Sequence, residues 1–588
     1  MKNKKQLKFK NMSQTPQYDA AVAKILVGLK PGERVCALTG KKWMMAEEEI
    51  GWYKKFNVPP PKVSPQTIWK QHGLWLVGFQ FWYQKHPLTG KPLIGIVHPA
   101  SGLKMLPDQE WLEKDFSSEA VSYDARQPFF EQWRRLQLRV PFPTSHNHLE
   151  PKNSITFGSQ GDEDSYFVGT SRTKKSFFCH FSSAVEDSAE IFESVSVTQS
   201  YNIVHSFRIF RCQYVQESFD CLNSAFLFDC RNCENCFGAI NQRNKKYLWF
   251  NEQLSKDEWE TRRAGVDLGS RKVAKKYQQE FVLLITKQGI WPENFNDCVT
   301  NSTGEYLNKT VNVQESYFCG ENALNQYRVA FSIGSSTDCA MSSYVIFAHD
   351  VYHSSAVSRS SDCRFCFFAP QSNHLEYCLL CYNCEYCFGC VGLNRKQFCI
   401  FNQQYSEEEY WKRIDELKCA MLERGEYGEF FPVAFSPRYW ADSHAVLYGL
   451  TGEEAKKMSV LDFNPESFGA TGQELSSINY IDSSTIPDKI CDINNDWIGR
   501  PIIDKKFKRC FSFLRPEIEL YKTLNIAPPE QHFIKRVMSL WAKANRGMFE
   551  KNQCAKCQKK LVTAKNSAYL ERVIYCRECY LKYLEKNS

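Results

Sequence analysis

The chain has 588 residues, too long for one hydrophobic core, since single cores rarely exceed about 250–300 residues; several domains are expected. Its 43% hydrophobic and 14% aromatic content is globular, and a formal net charge of +8 is modest for this length: it permits an anionic partner without requiring one. The longest aromatic-rich apolar run, residues 73–83, is far short of the roughly 18–20 residues of a membrane span, which excludes a helical membrane protein.

In chain order, residues 1–31 read as a basic flexible tail, with Lys2, Lys4, Lys5, Lys8 and Lys10 ahead of MSQTPQYDA, where a signal peptide would place its apolar core; a cytoplasmic protein is expected. Residues 32–125 read as a degenerate zinc-ribbon-like module and 126–150 as a helical connector. From 191 the sequence falls into nines. Phe192, Tyr201, Phe210, Phe219, Phe228 and Phe237 recur at one position, and Ser194, Ile203, Cys212, Cys221, Cys230 and Ala239 two residues later. A helix returns every 3.6 residues and a strand every two, so this period predicts short strands and turns stacked as a β-solenoid over 151–254, with small residues inside and the aromatics as a stacked rib.

A second β-solenoid repeat is expected over 301–405, because a shift of 151 carries Cys212 to Cys363, Cys230 to Cys381 and CENCFG at 233 to CEYCFG at 384 without a gap. Both copies end in a Ser-x-x-Glu capping box, Ser255 with Glu258 and Ser406 with Glu409, so a capping helix and connector follow over 255–300, and a capping helix and linker over 406–485. Residues 486–588 read as a C-terminal zinc-ribbon module. EIGWYKKFNVPPP at 49 and EIELYKTLNIAPP at 517 match under a shift of 468, which also carries His86 to Cys554, Thr89 to Cys557, Asp108 to Cys576 and Trp111 to Cys579. The predicted fold is mainly β: a tandem duplicated β-solenoid of nonapeptide-like repeats with capping helices, flanked at both ends by small α+β zinc-ribbon-like modules.

Cys554, Cys557, Cys576 and Cys579 form two Cys-x2-Cys knuckles separated by eighteen residues, the spacing of one structural Zn2+ in a closed S4 site. Twenty-five cysteines in so large a chain otherwise read as reduced thiols and not as a disulfide framework. The run Cys378, Cys381, Cys384, Cys387, Cys390 invites comparison with an iron-sulfur ligand set. Core packing is the preferred reading, because the first copy holds Ser, Ile, Val, Leu and Ala at equivalent phases. Asp220 and Asp229 are the carboxylates that a solenoid carbohydrate-active enzyme would use, but their counterparts in the second copy are Gln371 and Leu380, which suits solvated turns. No catalytic residues are assigned.

The segments Cys233 to Ser255 and Cys384 to Ser406, RQPFFEQW at 126, CALTG at 36 and the ending CAKC with YCRECY resemble uncharacterised cysteine-rich proteins of small-genome, candidate-phylum bacteria. The resemblance implies repeats flanked by zinc-ribbon modules and no reaction. The loss of metal cysteines around 36–111 departs from that pattern. The expected function is a non-catalytic binding or scaffold protein with a structural zinc site, engaging RNA or a ribonucleoprotein through the basic arm and through Lys535, Arg536, Lys543 and Arg546 beside Trp541. The alternatives are a redox or iron-sulfur protein built on the Cys378–Cys390 run, or a solenoid carbohydrate-active enzyme.

Overall fold

The computed structural model describes residues 13–462 and 478–587. Its centre is two stacks of short parallel strands. In the first, the chain alternates between a ten-stranded and a five-stranded sheet; in the second, between a nine-stranded and a six-stranded one. Successive partners in the first stack are Phe177, Ala189, Tyr201, Gln213, Ala225 and Phe237. In the second they are Thr337, His349, Ser361, Asn373, Glu385 and Gln397. One turn of either stack therefore takes about twelve residues, which corrects the nine-residue coil expected from the sequence.

The underlying unit is three residues. From Lys175 to Phe250 every third residue has a φ between +42° and +74°, the left-handed region that most side chains avoid. Each such corner turns the chain, and four triplets close one turn. The residue after each corner points inward: Cys179, Val185, Ile191, Val197 and Ile203 line a buried apolar core. Nine is three triplets, one short of a turn, so residues nine apart share the inward or corner phase but lie on successive sides. The expected nine-spaced aromatic rib does not form. Rings stack when twelve apart, as Phe207 on Phe219 (4.8 Å), Tyr214 on Phe226 (4.8 Å) and Phe365 on Tyr377 (4.7 Å).

Serine and cysteine recur inside because the corners expose backbone groups that need partners. Ser182 donates to the His180 carbonyl (2.9 Å) and accepts from the Ser194 amide (3.2 Å). Ser194, Ser206 and Ser218 repeat this pattern, and Ser218 passes the column on to the Cys230 amide (3.0 Å). Thiols act as larger serines: Cys378 Sγ meets the carbonyls of Glu376 (3.5 Å) and Cys387 (3.4 Å), and the Cys384 amide donates to Ser372 Oγ (3.1 Å). Cys378, Cys381, Cys384 and Cys387 thus occupy the four sides of one turn. Cys384→Ser, which keeps the donor, should change stability by less than about 1 kcal/mol, whereas Cys384→Ala should cost about 1–2 kcal/mol. Urea titration of both variants checks the order.

Each stack ends in an antiparallel hairpin, at Trp249 with Glu252 and at Ile400 with Gln403, and then a helix. Ser255 and Glu258 cap Lys256–Ala264 reciprocally, and Ser406 accepts from the Glu409 amide (3.3 Å) ahead of Glu407–Glu423. Trp259 donates to the Leu248 carbonyl (3.1 Å) and lies over the last turn. The expected flexible tail is corrected in part. Residues 1–12, with the five arm lysines, lie outside the described residues, but Pro16–Val27 is a helix that buries Tyr18, Val22 and Leu26. Asp415 of helix Glu407–Glu423 accepts from the amides of Gln17 (3.1 Å) and Tyr18 (2.8 Å) at its start.

The ends cross over. Elements before residue 140 pack on the second stack: Trp69 donates to the Arg328 carbonyl (2.9 Å) and His72 meets Ser343 (2.8 Å). Elements after residue 480 pack mainly on the first, where Gln213 donates to the Leu524 carbonyl (2.7 Å) and Gln216 to the Tyr569 hydroxyl (2.9 Å), although strand Asn545–Gln553 also reaches the second, with the Tyr317 hydroxyl donating to the Asn545 carbonyl (2.9 Å). The stacks also touch. His205 lies face to face with Tyr306 at 3.7 Å, and both bond to Glu217 (2.8 and 2.6 Å). Beside them, burial pushes Glu305 up to about 8 against the donors Asn545 and Phe295 N–H. Its folded pKa lies above its unfolded value, so its contribution to stability is complete below about pH 4.5 and is lost as pH rises toward 8. Urea midpoints should fall between pH 5 and pH 8.5, and Glu305→Gln should flatten that slope.

Candidate metal centre

Among the described residues, four hairpins share one turn. They pair Gly32–Val35 with Lys42–Met45, Trp82–Lys85 with Pro92–Gly95, Ile502–Asp504 with Arg509–Phe511, and Asn545–Gln553 with Lys560–Asn566. Each passes through a left-handed residue, Gly40, Gly90, Lys508 or Gln558. In three, one residue bonds at both ends of the turn: Cys36 to Lys41 and Gly40 (both 2.8 Å), His86 to Lys91 and Gly90 (2.8 and 3.0 Å), and Cys554 to Lys559 and Gln558 (both 2.9 Å).

Against each turn sits the start of a helix: Pro65–Trp75, Asp108–Glu113, Phe533–Lys543 and Arg577–Asn587 respectively.

In the fourth, Cys554 and Cys557 on the turn meet Cys576, which precedes the helix, and Cys579 in its first turn. All four Sγ atoms lie within 4.8 Å of one another, and Cys557 and Cys576 are 3.7 Å apart. Four sulfurs at about 2.3 Å from a tetrahedral zinc stand about 3.8 Å apart, so the group fits a metal ion of that size. Among the described residues, no other group of three or more His, Cys, Asp or Glu gathers in this way. Burial raises the Cys554 thiol, but the amides of Cys576, Cys557 and Lys556 overcome it and bring the pKa down to about 6. Cys579 is pushed up to about 12 by desolvation and by the neighbouring thiols. The helix start adds positive potential where thiolates would stand.

The other three turns are tied to their helices by hydrogen bonds. Cys36 Sγ meets Thr67 Oγ1 (3.3 Å), which also bonds Ser64 Oγ (2.8 Å). His86 Nε2 bonds Glu110 (2.8 Å), while its Nδ1 accepts from the amides of Leu88 and Thr89 (both 3.2 Å). Asp504 accepts from the amides of Phe507 (3.0 Å) and His532 (3.1 Å). The 468-residue shift pairs the first turn with the third, Cys36 with Asp504 and Ser64 with His532. Sequence reasoning missed this pair, because the TGK that carries the left-handed residue of the first two turns, at 39–41 and 89–91, is absent from the third, where Lys508 takes that place. It also set Asp108 opposite Cys576. A connection one residue shorter puts Pro107 and Glu110 there instead, and Asp108 accepts from Thr144 Oγ1 (3.1 Å) and the amides of Ser145 (2.8 Å) and Asn147 (2.9 Å).

Among the described basic residues expected to face RNA, only Lys535 is exposed. Helix Phe533–Lys543 is amphipathic, and its inner face lies on the first stack. Arg536 is buried, ion-paired with Glu190, bonded to the Tyr521 hydroxyl (3.1 Å) and set over the Phe178 ring at 4.7 Å. Trp541 is buried against Phe79, ring centroids 3.9 Å apart. Lys543 donates to Asn202 (2.6 Å), and burial lowers its pKa to about 8; Arg546 donates to the Val446 carbonyl (3.2 Å). Arg536 and Trp541 are therefore buried in the packing of the helix on the first stack, while Lys543 and Arg546 are half-buried and hydrogen-bonded. Asp220 is bound to Arg208 (2.7 Å), and Asp229 is buried between Arg243 (3.1 Å), Asn241 (2.8 Å) and the Tyr580 hydroxyl, so both carboxylates are committed.

Among the described residues, no helix is long and apolar enough to cross a membrane. No protein-family model, no curated protein and no solved structure matches the chain.

Proposed function

We propose that this protein is a non-catalytic scaffold: two β-solenoids held together by their crossed end modules, the last of which is a zinc ribbon with a structural Zn2+. The observation that carries this reading is the gathering of Cys554, Cys557, Cys576 and Cys579. Four protein sulfurs complete a tetrahedron and leave no coordination position for a substrate. Thiols that serve as buried backbone partners inside both stacks suit a reducing, cytoplasmic setting and not an iron-sulfur cluster.

The committed positions of Arg536, Trp541, Lys543 and Arg546 favour a protein partner over RNA. Lys2 to Lys10 with exposed Lys535 keep an RNA or ribonucleoprotein partner as the second reading. Metal analysis and a visible spectrum of anaerobically purified protein test the first claim: one zinc per chain and no visible absorption are expected, and stoichiometric iron and sulfide would overturn it. Pull-down with and without nuclease separates the partner classes.

A further inference from the structure

A pocket of about 80 Å3 lies between the two stacks. Its origin is legible in the duplication. Tyr344, Ala356 and Phe368 in its wall stand, under the 151-residue shift, where the first stack has Glu193, His205 and Glu217. At that first junction the imidazole of His205 fills the space, stacked at 3.7 Å on Tyr306 and bonded to Glu217. At the second, alanine replaces the histidine and the ring is missing. The opposite wall comes from the start of the first stack, Phe157 and Phe181, and from His146.

The polar groups left there have no partner of their own. Both ring nitrogens of His146 and the hydroxyl of Tyr344 lack a hydrogen-bond partner, although these residues are only 4% and 8% exposed. Such groups are costly to bury unmet. His146 is held at a φ of +51°, with its ring 4.7 Å from that of Phe368, so its position is imposed by the surroundings. An apolar pocket between packed units with a few convergent polar atoms is the usual form of a small-molecule site.

We propose that this pocket binds a small uncharged heteroaromatic ring, about the size of imidazole, which occupies the place of the missing His205-type ring and meets His146 and Tyr344 with its nitrogen atoms. An engineered apolar cavity of about 150 Å3 takes benzene, so the smaller space suits a five-membered ring. Because both stacks contribute walls, the ligand bridges them.

The test uses the full chain and pyrazole, which is uncharged at neutral pH, with cyclopentanol as the non-aromatic control. Saturation-transfer NMR should show saturable pyrazole binding at millimolar concentration and at least tenfold weaker binding of cyclopentanol. Ala356→His restores the ring of the other junction. His205 there has a φ of +42° and Ala356 one of +57°, so the substitution should fold. It should weaken pyrazole at least tenfold. Ser358→Leu fills the same pocket from another wall residue and should do the same. His146→Asn, compatible with a left-handed backbone, should weaken pyrazole severalfold. Absence of saturable binding, equal binding of cyclopentanol, or unchanged affinity in folded Ala356→His or Ser358→Leu protein would overturn the proposal.

Discussion

Cys576→Ser should release the metal and unfold residues 545–587 while both stacks keep their structure. A structural S4 zinc contributes on the order of 10 kcal/mol to the unit it closes, and this unit is small: one hairpin and one eleven-residue helix. The damage should spread along identified contacts. Tyr569 would leave Gln216, Tyr580 would leave the buried Asp229, and strand Val573–Tyr575 would no longer pair with Ile290–Pro292. Limited proteolysis should therefore cut after residue 545 in the variant or in chelator-treated protein, and leave fragments covering the stacks. An ordered C-terminus in protein shown by metal analysis to hold no metal would sink the zinc assignment. Metal loss should also follow acidification, since the ligands must be thiolates.

Arg536→Ala should cost about 3–5 kcal/mol, because it removes the guanidinium paired with the buried Glu190, whose other hydrogen-bond partners are the neutral Tyr201 (3.1 Å) and Asn202 (2.8 Å), and takes the same cation from the buried Glu517 (3.9 Å). A nucleic-acid contact would behave in the opposite way, weakening RNA retention while leaving the unfolding curve in place. Urea titration and filter binding on the same preparations distinguish the two roles. Lys535→Ala, at an exposed position of the same helix, should move stability by no more than about 0.5 kcal/mol. Pairing Arg536→Met with Glu190→Gln should recover part of the loss, because Glu190 no longer carries a stranded charge while the buried Glu517 still lacks its cation.

The contrast between Lys535 and Arg536 shows what a sequence conceals. Both read as helix-surface cations, and nothing local marks Arg536 as buried, since its partner Glu190 lies 346 residues away. The four metal-site cysteines were legible because a knuckle's chemistry is written in its spacing. The duplication was legible for a similar reason, as Cys212 and Cys363 carry the same inward role in both copies. The length of the coil was not. A left-handed corner every third residue would normally be signalled by glycine, yet here Phe178, Asp187, Glu190 and Phe226 occupy corners. With the triplet unmarked, a chance run of aromatics at nine suggested the wrong multiple of three. Two of the three cysteine-poor turns were legible, at CALTG and through the shift that carries His86 to Cys554; the third was not, because Asp504 ties it to its helix by hydrogen bonds and carries no knuckle spacing.

The crossing of the ends bears on how the chain is made. The helix Pro65–Trp75 leaves the ribosome early, but the strands it covers, beginning with Leu324–Tyr327, are synthesised some 250 residues later. The first stack in turn must wait for residues beyond 520 before its flank is covered. At roughly 5–20 residues per second, these apolar faces stay open for tens of seconds on the nascent chain. Local coiling of each stack can proceed meanwhile, since neighbouring turns are only twelve residues apart. Final docking is a late, long-range step that a ribosome-stalled chain lacking its last hundred residues could not complete, and such a chain would be a substrate for chaperones.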